Sequence, residues 1–319
     1  MPYAINPKVT IADVEYTDKA VNGVSLTSGR LIVDEQPRAG YATISLVTPN
    51  NTYPNIEINQ QVVVSVDDSN GTEVILWTGW VSDIQSSLNS FGSQGWLNNQ
   101  SITAIGTLSK LNRRLVGAGG YPKEFDGDRI YDIVFEGAGI TWGDYTPATD
   151  TWADVDSLLQ WANVDLLIGE IDTPGDFELT DYNSGASSAL TLAQQAASSG
   201  QGVLYECHCG RIQYDSYSSR TNDVATNGFT AIEPEAILST GLFSLSRLSD
   251  LANQIEVGYK NNQTESDTAS DSISTYGLYA ARVDTILEHD YDAAQRVEYY
   301  LETRAFPRRS LGAILWLYT

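Results

Sequence analysis

Two histidines, His208 and His289, and two cysteines, Cys207 and Cys209, are all the imidazole and thiol in this chain. Acyl transfer needs a nucleophile, a base and an orienting acid within hydrogen-bond reach, and no Ser-centred or Cys-centred nucleophile elbow is present, which argues against a triad. The run Cys207-His208-Cys209 has the residue types of a zinc fragment. On a strand, alternation would send His208 to the face opposite the two thiols, and no second Cys pair exists to complete a four-ligand set. Two cysteines two apart on a strand, facing the same way, are also poorly placed for a disulfide with each other. The expectation is a structural pair of thiols in a protein assembled under reducing conditions.

Carboxylates offer two further sets. Asp126-Gly127-Asp128 and Asp150, Asp154 and Asp156 have calcium-like spacing, but neither has the full ligand order with the distal Glu of a high-affinity loop, and helix caps and turns explain them more simply. Glycoside hydrolysis needs only two suitably placed carboxylates, so a bare count of acids is no evidence for it. No residue receives a catalytic, cofactor-binding or metal-ligating role, and the expectation is a protein that is not an enzyme and needs no cofactor.

The charge balance restricts partners. Basic residues number 18 against 41 acidic ones, a formal net charge of −23, which argues against gripping a phosphate backbone. No basic residue occurs between Ala39 and Ser109, and none between Ile130 and Gly210, where thirteen acidic residues lie. A solvated acidic surface, a halophilic host, or a conduit wall that does not hold passing DNA would each produce this pattern. The N-terminus lacks a basic segment followed by an apolar core, and nowhere do about 18 apolar residues run together, so neither a classical signal nor a membrane-spanning helix is expected. At 319 residues, the chain can form two to four small domains.

The elements that would position these side chains are mostly strands. Residues 4 to 26 alternate in places, with Val9, Ile11 and Val14 apolar. Ala42, Ile44 and Leu46 then share one face of a strand. Val62 to Val66 leads into Asn70-Gly71, a hairpin signal, and Val74 to Ile84 follows, with Gly79 suggesting a bulge or barrel corner. The polar stretch Gln85 to Trp96 reads as a surface loop. A strand over Ser101–Thr107 precedes a short helix with Leu108, Leu111 and Leu115 on one side. Gly117 to Pro122 is the clearest break. Beyond it, Asp128 caps a helix carrying Ile130, Ile133 and Val134, and Ile140 to Asp181 reads as loop with short strands. Ser187 to Ala197 has a Ser cap, helical apolar spacing and Gly200 as a stop, and a hairpin flanks Gly210. A strand with Ile255, Val257 and Tyr259 comes next, then an exposed loop from Lys260 to Ser274, a helix capped by Asp290 or Asp292 and ending near Pro307, and a strand over Leu311–Tyr318.

Several of these runs, in this order, resemble the baseplate hub proteins of long-tailed bacteriophages, also called tail-tip hub or minor tail proteins. The first is Pro37-Arg38-Ala39-Gly40, the alternating and Val-rich strands, and Trp77-Thr78-Gly79-Trp80-Val81-Ser82-Asp83-Ile84. The second is a Leu-x-x-x-Ala helix, a Gly, and the hairpin through Gly210-Arg211-Ile212 to Tyr214-Asp215. The third is Asp250, Asn253, Ile255 and Val257 before Ser272, Tyr276 and Gly277. The resemblance implies a mainly β fold with α+β insertions. Two small antiparallel β-barrels, at 1–115 and 240–319, would flank an inserted acidic α+β region at 116–239.

It further implies a structural role in the virion. A homotrimer assembled in the host cytoplasm would join the six-fold tail tube to the three-fold tip, with DNA passing through without specific binding. Its partners would be the tail tube or distal tail protein on one side, a tip or fibre protein on the other, and the tape-measure protein. Hub proteins continue past the last strand, so the second barrel would be completed by a longer chain or by strands from a neighbour. Two other readings stay open. A carbohydrate-binding tail-tip protein would present an aromatic platform, for which Trp142, Trp152 and Trp161 are candidates, and a carboxylate-dependent wall hydrolase would turn over cell wall.

Overall fold

The computed structural model describes residues 7–16, 21–30, 35–49, 54–68, 70–90, 96–137, 168–228, 244–245, 250–260, 262–307 and 310–311. The candidates Trp142, Trp152, Trp161, Asp150, Asp154 and Asp156 lie outside these residues, as does the expected strand over Leu311–Tyr318 beyond Leu311.

Alternation of apolar and polar residues builds the first part. The strands β1 (Lys8–Ile11), β2 (Val14–Tyr16), β3 (Val21–Gly29), β4 (Arg38–Pro49), β5 (Gln61–Asp67), β6 (Glu73–Ser90) and β7 (Trp96–Ile105) form one antiparallel sheet in the order β2-β1-β5-β6-β7-β4-β3. Its inner face collects Val9, Ile11, Ala42, Ile44, Leu46, Val62, Val64, Trp77, Ile102 and Ala104, the every-second-residue set that a pleated strand turns to one side. The expected hairpin is present. Gly71 takes φ +78°, and Asp68 Oδ1 accepts from Asn70 N at 2.8 Å and Thr72 N at 2.7 Å. Those backbone donors hold the Asp68 carboxyl below its ordinary range.

Four expectations need correction here. Among the described residues the sheet ends at β2 and β3 without closing, so it is an open sheet and not a barrel. Gly79 pairs in register with Val62; the irregularities fall at Val64/Ser65 and Val81/Asp83. Its missing side chain makes room for the indole of Trp77, which a Cβ would approach to 2.2 Å. Much of the expected loop from Gln85 to Trp96 is ladder, because β6 continues to Ser90 opposite Trp96 as a polar ribbon. The helix α1 (Leu108–Asn112) buries Leu108 and Leu111 but stops before Leu115, which is 74% exposed on the next strand.

The remainder mixes short strands with helices. It runs through β8 (Leu115–Val116), β9 (Glu124–Phe125), α2 (Asp126–Gly137), β10 (Ile168–Ile171), β11 (Glu178–Leu179), β12 (Ser187–Ser188), α3 (Ala189–Ser199), β13 (Val203–Glu206), β14 (Ile212–Asp215) and α4 (Tyr217–Asn227). Then come β15 (Ser244–Leu245), β16 (Gln254–Tyr259), β17 (Gln263–Thr268), α5 (Ser270–Tyr276), β18 (Ala280–Asp284), α6 (Asp290–Arg304) and β19 (Ser310–Leu311). The buried stripe Ile130, Ile133 and Val134 sits on α2 as its spacing requires, and Ser188 caps α3 through Thr191 N. Asp128 is not the cap of α2, since the helix already begins at Asp126.

The expected loop from Lys260 to Ser274 is in fact β17 and the start of α5. Its polar residues form an exposed strand paired to β16, so polarity there marks solvent and not irregular backbone. The β17-β16-β18 sheet is three-stranded, with β16 and β18 parallel, which departs from the expected second antiparallel barrel. The class is therefore mainly β with several helices. One apolar cluster runs from Leu108 through α2, α3 and β14 to Ile255, Val257, Val297 and Tyr300, so the middle and C-terminal parts share a core. The Gly117 to Pro122 break is a tight turn packed into it, with Val116 and Tyr121 both buried in this cluster.

Candidate functional site: the joints between the parts

The side chains with the most demanding environments lie where the parts meet. Glu206, the last residue of β13, turns its carboxylate into the first sheet and accepts from Gly40 N (2.5 Å) and Leu108 N (3.0 Å). The close approach requires Gly106, because a Cβ there would stand 2.0 Å from Oε1. Burial pushes this carboxyl above its ordinary range, against the backbone donors that favour the charged form. Beside it, Thr107 Oγ1 donates to Gly210 O. Gln36 bonds as a backbone mimic, giving Nε2 to Gly202 O (3.0 Å) and accepting from Leu204 N (3.0 Å), and Gln194 Nε2 reaches Pro37 O at 2.9 Å.

A second knot surrounds Asp126, which is fully buried. Its Oδ1 accepts from Asp176 N and Phe177 N, both at 2.8 Å, and its Oδ2 from the Tyr214 hydroxyl. Burial raises the carboxyl above its ordinary range, and these donors pull the other way. With both oxygens engaged by protein donors, Asp126 is a structural hub and not a calcium ligand. Nearby, buried Arg129 pairs with Glu124 and donates to Pro122 O (2.5 Å) and Thr180 O (3.0 Å).

The third joint is in the C-terminal part. Asn253 donates to Ser272 Oγ (3.1 Å) and Gly277 O (2.7 Å) and accepts from Tyr279 N (2.7 Å). Glu288, almost buried, receives Lys123 Nζ at 2.5 Å and also Lys260 Nζ, and these two hold its carboxyl below the ordinary range. His289 Nε2 lies 2.6 Å from Glu178 Oε2 and its ring stacks on Tyr291. His208 is at an exposed turn far along the chain from it, so the two imidazoles serve separate places.

That turn corrects the thiol expectation. Cys207 and Cys209 form a disulfide with Cα atoms 5.2 Å apart. The strand alternation that would have held them parallel ends at Glu206. From there the chain bends, with Gly210 at φ +80° and Gly210 N donating to Cys207 O. Among the described residues, no group of three His, Cys, Asp or Glu side chains could hold a metal ion, and no helix is long and apolar enough to cross a membrane.

One cavity of about 360 Å³ opens where all three parts converge, lined among others by Arg30, Gln36, Gln201, Arg220, Arg296 and Tyr299. Arg296 is only 5% exposed; it donates through Nη1 to Ser199 O (2.9 Å) and through Nη2 to the Tyr300 hydroxyl (3.1 Å). Arg220 Nη1 donates to Gln201 O at 3.0 Å.

Sequence reasoning singled out Asn253, Ser272 and Gly277 as parts of recurring runs, and the structure brings them together. It also brings Gly40 of the first run against the hairpin of the second. It missed Glu206, Asp126 as a buried acceptor, and the arginine cavity. For Glu206, the available signal was Gly106, a glycine inside a strand pattern, which marks close backbone approach.

The sequence matches no protein-family model and no curated protein. Solved structures do match. The 43 kDa tail protein of prophage MuSo2 from Shewanella oneidensis is 12% identical with a TM-score of 0.54, over 93% of this chain and 77% of that one. A tail protein from Neisseria meningitidis MC58 is 9% identical with a TM-score of 0.55, over 93% and 75%. Prophage tail protein gp18 from Listeria monocytogenes EGD-e is 12% identical with a TM-score of 0.50, over 97% and 81%. Over 93–97% of its length, this chain shares its fold with three tail proteins, two of them from prophages.

Proposed function

We infer that this chain is a structural protein of a phage tail and stands at the tail tip as a three-copy hub. The observation that carries this reading is a fold shared over 93–97% of the chain with three tail proteins, two of them from prophages, from three different bacteria. The contacts between parts support it, since Glu206, Thr107 and Gln36 fix the middle part to the first sheet and Lys123 pairs with Glu288 between the middle and C-terminal parts, as a rigid wall would need. In this reading residues 1–115 form one unit, and the acidic region 116–239 packs with 240–319 on a common core. The tail tube or distal tail protein lies on one side, a tip or fibre protein on the other, and the tape-measure protein contacts the same assembly. The formal charge of −23 suits a wall that DNA must pass without sticking, because carboxylates repel phosphate.

Light scattering coupled to gel filtration gives the first check: the expected mass is about three times the 34.8 kDa chain. Antibody labelling of tails in the electron microscope gives the second, with label expected at the distal end only. A monomer or a six-copy ring rejects the three-copy hub, and label along the tube or on the capsid rejects the tip.

A further inference from the structure

In a chain with 18 basic and 41 acidic residues, the cavity at the meeting of the three parts inverts the local charge. Arg30, Arg220 and Arg296 line it, and among the described residues no carboxylate does. Asp215 acts electrostatically on Arg220, yet its carboxylate accepts from the Tyr205 hydroxyl (3.3 Å) and makes no ion pair with Arg220 among the described residues.

Part of this cluster has a purely structural purpose. Ser199 and Gln201 lie at the C-terminal end of α3, where cations are favoured by the helix dipole and can occupy the last carbonyls. That explains one bond from Arg220 and one from Arg296. It does not explain the cavity, and it leaves two buried polar atoms over. Arg296 Nε, a donor, and Gln201 Oε1, an acceptor, have no hydrogen-bond partner among the described residues. Leaving a buried donor or acceptor unmade is costly, and more so on a charged group. A guanidinium also presents its donors in a fork that fits the two oxygens of a carboxylate or phosphate.

We propose that this cavity is a binding site for a small hydroxylated oxyanion, a hydroxy acid or a sugar phosphate, whose anionic oxygens meet Arg220 and Arg296 and whose hydroxyl reaches Gln201. A volume of about 360 Å³ is at the small end of ligand sites, enough for one such molecule and too small for a folded partner. Tyr217 and Tyr299, which pack edge to face with ring centroids 6.5 Å apart, supply an aromatic wall. A molecule held there would contact the first sheet, α3 and α4, and α6 at once, so its binding would stabilise the packing of all three parts.

The test is thermal unfolding of the full chain with citrate as the probe, against sodium chloride at matched ionic strength. Tricarballylate, the same acid without its hydroxyl, serves as the second probe. Binding to the folded state alone raises the midpoint with a saturating dependence on ligand. The expected result is a saturable rise with citrate at millimolar concentration and weaker binding of tricarballylate. In Arg220→Gln the citrate affinity should be at least about tenfold weaker, roughly 1.4 kcal/mol. Arg282→Gln, which removes an equal charge from an exposed site paired with Glu256 and Asp284, should respond as the parent does. Citrate also stabilises proteins by exclusion from their surfaces, without saturation. A rise that is linear, that is the same in Arg220→Gln, or that does not distinguish the two acids overturns the proposal.

Discussion

A single carboxylate, Glu206, ties the first sheet to the hairpin packed on it. Replacing it by Ala would leave the Gly40 and Leu108 amides without their acceptor, at about 1–3 kcal/mol each. Glu206→Ala is therefore expected to cost roughly 2–6 kcal/mol, and Glu206→Gln, which keeps one of the two acceptor oxygens and turns its NH2 toward the other amide, roughly half of that. Gly106→Ala makes the complementary test, since its Cβ would stand 2.0 Å from the carboxylate and must displace it. Urea denaturation measures all three, and a Gly106→Ala variant as stable as the parent would refute the joint. None of this was visible from Glu206 itself. It is one of 41 acids, and its partner amides lie 166 and 98 residues away, beyond the reach of any local pattern. Residues whose role is set by their own neighbours were legible, such as Asn70-Gly71 in its hairpin and Ser188 at its helix.

Legibility at the level of elements followed burial. Strands with one buried face, β4 and β5, announced themselves by alternation, and α3 by its cap, spacing and stop. The far half of β6 and all of β17 were read as loop because both faces carry polar residues. The ladder there is fixed by pairing with β7 and β16, which no single strand reveals. The β13–β14 turn was misread for the opposite reason, when strand geometry was extended past Glu206 and the two thiols were judged unable to bond. Their disulfide closes a ring of only a few residues, so the chain entropy it removes from the unfolded state is small, well under the roughly 3 kcal/mol of a 15-residue loop. Cys207→Ser/Cys209→Ser should accordingly unfold within a few degrees of the parent. A collapse of the thermal midpoint would show instead that the turn organises the hairpin.

For the molecule as a whole, the buried carboxylates set the response to pH. Burial raises Asp126, Glu206, Asp215 and Asp292 above their ordinary values. The folded chain then takes up protons before the unfolded chain does, and stability gains as pH falls through the raised values to the ordinary carboxylate range. Relief of self-repulsion at net charge −23 acts in the same direction. Glu288 and Asp68 are held low, so their contributions are present above the ordinary carboxylate range and are lost as pH falls through their folded values. The expected profile of thermal midpoint against pH rises from pH 8 to a maximum on the acid side of neutral, then drops below about pH 4. A midpoint that falls steadily from pH 8 downward would contradict it. Composition alone argued against a nucleic-acid-gripping surface. The number of cores was not legible, because the docking of α6 and β16 onto α2 and α3 is set by contacts far apart in sequence.

The Glu206 bond to Gly40 also has a consequence in time. The two residues are 166 apart in the chain, and a ribosome adds about 5–20 residues per second. The last strand of the sheet, β7, ends at Ile105, so the sheet is fully synthesised roughly five to twenty seconds before the carboxylate that locks it. In that interval the sheet must persist on its own core of Ile44, Leu46, Val62, Val64, Trp77 and Ile102. The wait falls on a half-built molecule whose outermost strands, β2 and β3, have one unpaired side among the described residues. Unpaired strand edges template pairing with other chains, so slower synthesis lengthens the time over which those edges stand open.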